Sequence, residues 1–349
     1  MFKGIDLFSD TMTQPSQAMK QAMMDAELGD EQKGEDPTTK QLEEMVADLL
    51  GFDAALFFPT ATMANEIAIR TLTELGDELL AAENCHLFTS ETGGPAIHSG
   101  VMARSIPTPN GIFTADELHA TYRWSKGPHY PRSKLVSIEN TTNLGGGLAW
   151  DIMTLKSTCA KAKELDLKMH LDGARLFNAA VKYDLNPQEI TTGFDTVTIC
   201  LSKGLGCPFG ALLAFKKLHY DKVRRLKQLW GGAMRQSGLL AAAGIYGLKN
   251  NISRLQEDHD NATYLAHRLL EEISNIQVEY ETSSTNMVFF KWNNNKINPE
   301  QFNQICIQNG VRFSHVGVDR FRAVTHLGIT RQDIDQTIHI LKEINESID

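Results

Sequence analysis

Residues 169–175 read MHLDGAR, and residues 199–206 read ICLSKGLG. In each stretch a short apolar run gives way to a charged residue beside glycine, Asp172 in the first and Lys203 in the second. Short apolar runs bounded by glycine predict buried strands. The two charged residues are 31 positions apart, about one βαβ unit. Because parallel sheets bind ligands at the carboxyl ends of their strands, both side chains are predicted to face one crevice.

The same alternation of strand and helix extends over the first two-thirds of the chain. Strands are predicted at residues 54–58, 134–138, 168–171 and 196–201. Helices are predicted at residues 62–75, 154–165 and 174–183. This order is typical of a mostly parallel sheet covered by helices, so the predicted fold class is α/β.

The pattern changes near residue 235, where turn-forming residues become scarce until about residue 273, as in a long helix or helix pair. The predicted elements beyond it are strands at 277–280, 287–292, 311–315 and 323–326 and helices at 299–308 and from near Thr330. We therefore predict a large domain over residues 1–244 and a smaller α+β domain over 245–349. The pattern leaves open whether the first 10 to 15 residues pack with the smaller domain.

Composition narrows the class of protein. The formal net charge is -9 and the pI about 5.7, which argues against nucleic-acid or anionic-membrane binding. The five cysteines are odd in number and form no C-x-x-C, so neither a disulfide framework nor a metal site is expected. The first ten residues contain no apolar signal-peptide core. Together these features predict a cytoplasmic protein.

An amine and a carboxylate facing one crevice suit pyridoxal 5'-phosphate (PLP). PLP needs an amine, here Lys203, to form an imine at its aldehyde, and a carboxylate, here Asp172, to keep its ring nitrogen protonated. The alternative is that Asp172 caps the next helix and Lys203 is a solvated loop residue. Taken singly, each residue favours that alternative. The glycines beside Lys203, which indicate close approach by a ligand, favour PLP.

Residues 59–65 (PTATMAN) join a predicted strand to a predicted helix. Free N–H groups at a helix N-terminus suit a phosphate, although Thr60 and Thr62 are also ordinary capping residues. His86 and His129 are candidate acid–base groups, but a lone histidine more often has a structural role.

Taken together, these segments resemble the low-specificity L-threonine aldolases of the β-eliminating lyase group. The matches cover nearly the whole chain in order, which makes the resemblance specific. The matching segments are residues 6–11 (DLFSDT), 34–38 (GEDPT), 59–65 (PTATMAN), 91–94 (ETGG), 139–141 (ENT), 170–178 (HLDGARLFN), 201–210 (LSKGLGCPFG), 234–238 (MRQSG) and 322–327 (RAVTHL). The resemblance implies PLP fold type I, with an aspartate-aminotransferase-like large domain.

The resemblance also implies roles for particular residues. The implied cofactor-binding residues are Ala61, Thr62, His86, Asp172, Arg175, Lys203 and Arg235. Lys203 would hold PLP, His86 would stack on its ring, and Arg235 would reach a phosphate across a subunit boundary. The implied substrate-binding residues are Ser9, Lys33, His129, Arg175 and Arg322. Ser9, Arg175 and Arg322 would hold the substrate carboxylate, for which bidentate arginine is well suited.

The implied reaction is retro-aldol cleavage of L-threonine or L-allo-threonine to glycine and an aldehyde. His86 or His129, whose ordinary pKa is ~6.5, is the candidate base for the β-hydroxyl proton. The alternatives are another PLP reaction on the same site, such as β-elimination or racemisation, and a non-catalytic protein of the same fold. The resemblance further implies a homo-oligomer, a dimer or tetramer, with shared active sites.

Three positions depart from the pattern of the group. Lys33 stands where the group has tyrosine, Ala61 where it has glycine, and Thr142 where it has histidine. Lys33 and Thr142 lie in segments implied to be near the substrate, so they bear on substrate range and rate. Ala61 matters only if that position requires a positive φ.

The pairing of Lys203 with Asp172 generates the first prediction. The purified protein should be yellow, absorbing near ~420 nm, because a lysine-bound PLP with a protonated ring nitrogen absorbs there. Borohydride reduction followed by peptide mapping should place the pyridoxyl group on Lys203. A label on another residue, or none after PLP is added, would refute the assignment.

Overall fold

A computed structural model describes residues 2–279 and 285–348 of the chain. The strands β1 to β13 are, in order, Ile5–Asp6, Ala54–Phe58, Glu78–Ala82, Met102–Ile106, Ser133–Glu139, Lys168–Gly173, Thr196–Cys200, Ala211–Phe215, Ile276–Val278, Met287–Trp292, Val311–Arg312, Ser314–His315 and Arg320–Val324. The helices α1 to α14 are Gln17–Met24, Pro37–Leu50, Ala61–Leu72, His86–Thr89, Gly94–Ser99, Ala115–Thr121, Ile152–Glu164, Leu176–Tyr183, Pro187–Thr191, Tyr220–Leu229, Gly238–Asn250, Leu255–Glu272, Pro299–Gln308 and Arg331–Ile348.

A seven-stranded sheet forms the centre of the fold, in the order β2-β8-β7-β6-β5-β3-β4. Strands β3 to β7 pair in parallel, and β8 runs antiparallel to both of its neighbours. The predicted α/β fold with a mostly parallel sheet is therefore confirmed. The strand predicted at residues 54–58 has those bounds, and the stretch after residue 235 is a helix pair, α11 and α12.

The register of the parallel strands places the key residues side by side. Glu139, the last residue of β5, lies opposite Asp172 near the end of β6. Strand β7 ends at Cys200, three residues before Lys203. Helix α3 begins at Ala61, directly after β2 and its turn. All these groups therefore project from the same edge of the sheet.

A second sheet, of four antiparallel strands, has the order β12-β13-β10-β9. Strand β13 carries Arg322, and β1 near the N-terminus pairs in parallel with β11. The predicted strand at 277–280 ends at Val278, and its last predicted residue, Tyr280, lies outside the described residues.

The buried apolar side chains form two main clusters. The larger one surrounds the seven-stranded sheet and extends along the chain to Leu255. The second consists of residues from Ala262 onward, together with Ile5 and Leu7 near the N-terminus. The clusters thus separate within helix α12, whereas the predicted boundary after residue 244 lies within α11. The division into two domains stays a prediction.

No helix in residues 2–279 or 285–348 combines the length and apolar character that crossing a membrane requires. All five cysteines are buried and have free thiols.

Candidate active site

A crevice at the carboxyl edge of the large sheet brings together side chains from five strand and helix ends. Its lining residues are Ala61, Asn65, His86, Glu91, Glu139, Thr141, Asn143, Asp172, Ala174, Arg175 and Lys203. Asp172 and Lys203 thus line one crevice, as their spacing in the sequence predicts.

Asp172 lies at the floor of the crevice and is held there by hydrogen bonds. Its Oδ1 accepts from the Ala174 N–H at 3.1 Å, and its Oδ2 accepts from Asn65 Nδ2 at 3.1 Å. Burial lowers the pKa of His170 to about 4, so this ring is neutral. Because Asn65 Nδ2 donates to carboxylates, Asn65 Oδ1 accepts from His170 Nε2 at 3.1 Å. This chain of bonds fixes the Asp172 carboxylate in one orientation.

His86 is joined to the same network through Glu91. The His86 Nδ1 lies 2.8 Å from Glu91 Oε1, which also accepts from Asn65 Nδ2 at 2.9 Å. Burial alone would lower the pKa of His86, but the Glu91 hydrogen bond and the Asp172 and Glu91 charges together raise it above its ordinary value. Glu91 and Asn65 lie in segments that carried the resemblance, but the sequence assigned neither of them a role.

Glu139 is a second carboxyl group directly beside Asp172. It is buried and accepts backbone N–H bonds from His86 at 3.1 Å and Asn143 at 2.9 Å. Burial, reinforced by the charge of Asp172, raises the pKa of Glu139 to about 7. Because two neighbouring buried carboxylates repel each other, Glu139 readily takes up a proton.

The N-terminus of α3 opens into the crevice. Thr60 caps the helix by accepting from the Met63 N–H at 3.1 Å. The N–H groups of Ala61 and Thr62 belong to the first turn, where helix geometry provides no intrahelical acceptor. Ala61 is a helical residue and is absent from the positive-φ positions, so its Cβ causes no strain.

Arg175 makes a buried ion pair that the sequence did not predict. Its Nε and Nη2 donate to the two carboxylate oxygens of Asp10, both at 2.7 Å, and both side chains are at least 95% buried. Despite burial, which raises it, the charge and hydrogen bonds of Arg175 hold the pKa of Asp10 well below its usual range. Ser9 Oγ accepts from the Thr11 N–H at 3.2 Å and so caps the short turn that carries Asp10.

Arg322 is a buried cation without a carboxylate partner among the described residues. Its Nη1 donates to Asn143 Oδ1 at 2.6 Å and its Nη2 to the Phe8 carbonyl at 3.4 Å, while its Nε has no acceptor there. Burial and the nearby Arg175 lower the pKa of Arg322 to about 10. A positive charge placed in this way favours binding of an external carboxylate.

Seven of the residues named from the sequence are absent from the crevice lining: Ser9, Thr62, Arg322 and the four described next. His129 is exposed in the loop before β5, at the opposite end of that strand from Glu139, and packs on Tyr130. Arg235 is exposed and pairs with Asp30 at 2.8 Å, and Lys33 lines a separate cavity of about 670 Å³ beside α10. Thr142 is fully buried, and its Oγ1 accepts from the Leu148 N–H.

The groups in the crevice fit PLP. Lys203 would supply the amine, Asp172 a fixed carboxylate for the ring nitrogen, His86 a ring to stack on, and the first turn of α3 N–H donors for the phosphate. The buried Oγ1 of Thr141, which has no partner among the described residues, adds a further polar atom.

Fold and site define an α/β protein of PLP fold type I. The profile of the family named "Beta-eliminating lyase" matches residues 6–293, and the chain belongs to this family. It is 39% identical over 334 residues to a "Low specificity L-threonine aldolase" of Escherichia coli K12, covering 95% of this chain and 96% of that protein. It is 33% identical over 347 residues to "Low-specificity L-threonine aldolase 1" of Arabidopsis thaliana, covering 98% and 97%.

A solved structure has the same fold. The threonine aldolase of Leishmania major superposes with a TM-score of 0.83 at 22% identity, covering 97% of this chain and 99% of that one.

The Asp10–Arg175 pair generates the second prediction. Asp10→Asn should lower the free energy of unfolding by about 3–5 kcal/mol, because it leaves the Arg175 charge buried and unpaired. The folded-state pKa of Asp10 is depressed, so the wild-type advantage should be complete above the ordinary pKa of 3.8 and decrease as the pH falls below it. Urea unfolding at several pH values measures this.

Arg175→Met in the Asp10→Asn background provides the control. The double variant should recover part of the lost stability, since it removes the stranded charge. If Asp10→Asn unfolds at the wild-type urea concentration, the pair does not stabilise the fold.

Proposed function

We propose that this protein is a PLP-dependent aldehyde-lyase that cleaves L-threonine and L-allo-threonine to glycine and acetaldehyde. The observation that carries the proposal is the crevice in which the Lys203 amine faces the fixed Asp172 carboxylate, with the unpaired cation Arg322 held close by. The names of the full-length relatives, at 33–39% identity, support the same activity.

The substrate carboxylate would bind Arg322. Arg175 is already neutralised by Asp10, so Arg322 is the cation whose charge a ligand can balance. This modifies the role that the resemblance implies for Arg175: through the Asp10 pair it holds the N-terminal segment, including Ser9, against the site. Asn143 and the Phe8 carbonyl orient the Arg322 guanidinium.

His86 would take the proton from the β-hydroxyl group. Its Nδ1 is bound to Glu91, which leaves Nε2 free for this task. PLP, when bound, supplies the electron sink that makes cleavage of the Cα–Cβ bond possible. The Glu91 hydrogen bond and the Asp172 and Glu91 charges raise the pKa of His86 above its ordinary value. The unprotonated ring, which accepts the proton, is therefore available only at a correspondingly higher pH.

The third prediction tests the activity and the role of Arg322. The PLP-loaded protein should release acetaldehyde and glycine from both threonine isomers. Arg322→Ala should lower kcat/KM by roughly 30-fold or more, because removing one partner of a buried charge pair costs about 2–5 kcal/mol. Its PLP absorbance should stay unchanged.

Arg132→Ala is the matched control. Arg132 is 74% exposed, contacts Asp77 at 2.9 Å and does not line the crevice, so this variant should keep wild-type kcat/KM. Ammonia and a 2-oxo acid in place of glycine would indicate β-elimination instead. Near wild-type turnover by Arg322→Ala would show that the substrate carboxylate binds elsewhere.

Residues outside the crevice support a homo-oligomer, a dimer or tetramer, with shared sites. His129 lies at the far end of its own β5, so it could approach a crevice only from another copy of the chain. Large apolar side chains also remain exposed near the edge strand β4, including Leu75 at 72% and Met102 at 51%. Such exposure is typical of surfaces that associate.

The free, buried cysteines are consistent with a cytoplasmic location.

The fourth prediction tests shared sites by complementation. Lys203→Ala and Arg235→Ala should each lose activity when assayed alone. Mixing them after mild dissociation should restore part of it, because a hybrid oligomer contains some sites with both residues intact. Light scattering should show an oligomer throughout. An active monomer, or no recovery from hybrids verified by mass spectrometry, would contradict shared sites.

A further inference from the structure

Two buried carboxyl groups are in contact directly behind His86. Glu66 follows Asn65 on α3, and Glu91 lies in the turn before α5; both are 2% exposed. The two residues are neighbours through Gly94: its N–H donates to the Glu91 carbonyl at 2.8 Å, and its backbone packs against the Glu66 carboxyl group. The backbone of Gly94 packs so tightly against Glu66 that a Cβ there would overlap Glu66 Oε1. The pair is therefore enclosed and has little access to water.

The hydrogen bonds of this pair are incomplete unless it holds a proton. Both oxygens of Glu66 and the Oε2 of Glu91 accept no hydrogen bond from any described residue. Two carboxylates cannot bond to each other, since both only accept. If Glu66 is a neutral acid, its O–H can donate to Glu91. The electrostatic repulsion between the two carboxylates is then removed. Burial and the Glu91 charge raise the pKa of Glu66 to about 9, in agreement with this.

We propose that Glu66 and Glu91 share one proton, and that this proton controls the protonation of His86. Glu66 is then a positioning residue: it does not line the crevice, and it acts through Glu91. The part of the proposal that concerns catalysis rests on the function proposed above, whereas the shared proton does not depend on it.

The geometry connects the proton to the ring through a single carboxylate. Glu91 Oε1 contacts His86 Nδ1, whereas its Oε2 is buried and has no partner among the described residues. The other charged or titratable groups that act on His86 are Asp172, Lys203 and Glu139. A hydrogen bond donated by Glu66 partly neutralises the negative charge of Glu91. Without that donor the full negative charge remains on Glu91, which then favours the protonated form of His86 more strongly.

Three variants separate the possible roles of Glu66. Glu66→Gln keeps the shape and a donor for Glu91 but cannot titrate. Glu66→Leu removes the donor. Glu44→Gln changes an exposed glutamate on α2 and is the matched control. Each is prepared as PLP-loaded full-length protein.

Infrared difference spectroscopy detects the proton directly. At neutral pH the wild type and Glu44→Gln should show the C=O stretch of a buried protonated carboxyl group, insensitive to solvent and distinct from carboxylate bands. Glu139 also contributes near its pKa of about 7, so the spectra are compared at pH 8, below the pKa of about 9 of Glu66. Glu66→Gln should lose one such band. An unchanged band pattern would overturn the proposal.

Thermal unfolding as a function of pH provides a second measurement. Between pH 4.5 and about 9 the folded protein holds a proton that the unfolded chain has released, so wild-type stability should fall as the pH rises through this window. The melting temperature of Glu66→Gln should fall less over the same window, and that of Glu44→Gln should follow the wild type. Parallel curves for all three would contradict a shared proton.

The pH profile of kcat/KM then tests the effect on His86. In Glu66→Leu the acid limb should move to higher pH, because His86 keeps its proton longer, and Glu66→Gln should return it toward the wild-type position. An acid limb that is identical in all variants would refute control of His86.

If Glu66→Leu does not fold, the infrared and melting data on Glu66→Gln decide. If the wild type cleaves neither threonine isomer, the proposed function fails while these two measurements still test the shared proton.

Discussion

The amide of Asn65 is the contact on which the crevice depends. Its nitrogen donates to both Asp172 and Glu91, and its oxygen accepts from the neutral His170. One buried side chain thus holds the carboxylate at the floor of the crevice and, through Glu91, the ring of His86. Because a buried polar group without partners is costly, this network permits one arrangement of the five side chains.

Charge balance explains how the rest of the crevice is built. Asp172, Glu139, Glu91 and Glu66 are four acidic groups on adjoining elements, and burial and mutual repulsion favour protonation of Glu66 and Glu139. On the other side Asp10 neutralises Arg175, whereas Arg322 is left with neutral acceptors. The site therefore has an excess of positive charge where an amino-acid carboxylate would bind. A buried carboxylate stays available on its floor for a ring nitrogen.

The sequence was informative wherever local pattern and local geometry coincide. The strand at 54–58 and the helix at 299–308 have the bounds that periodicity predicts, and Asp172 and Lys203 meet because both follow strands of one parallel sheet. Strand β8 was missed: its sequence ALLAF contains no β-branched residue and is equally compatible with a helix. Asn65 and Glu91 were also missed as site residues, because a buried amide or acid has no distinctive local pattern.

By itself the sequence determined the α/β class and the family to which the chain belongs, and it predicted that Lys203 and Asp172 face one crevice. Those properties follow from hydrophobic periodicity and from spacing along the chain. Only the tertiary structure decided which charges are paired. It paired Arg175 with Asp10, left Arg322 without a carboxylate, brought Glu66 against Glu91, and put His129 at the far end of the sheet. Pairing depends on three-dimensional proximity between residues up to hundreds of positions apart, and local sequence carries no measure of that distance.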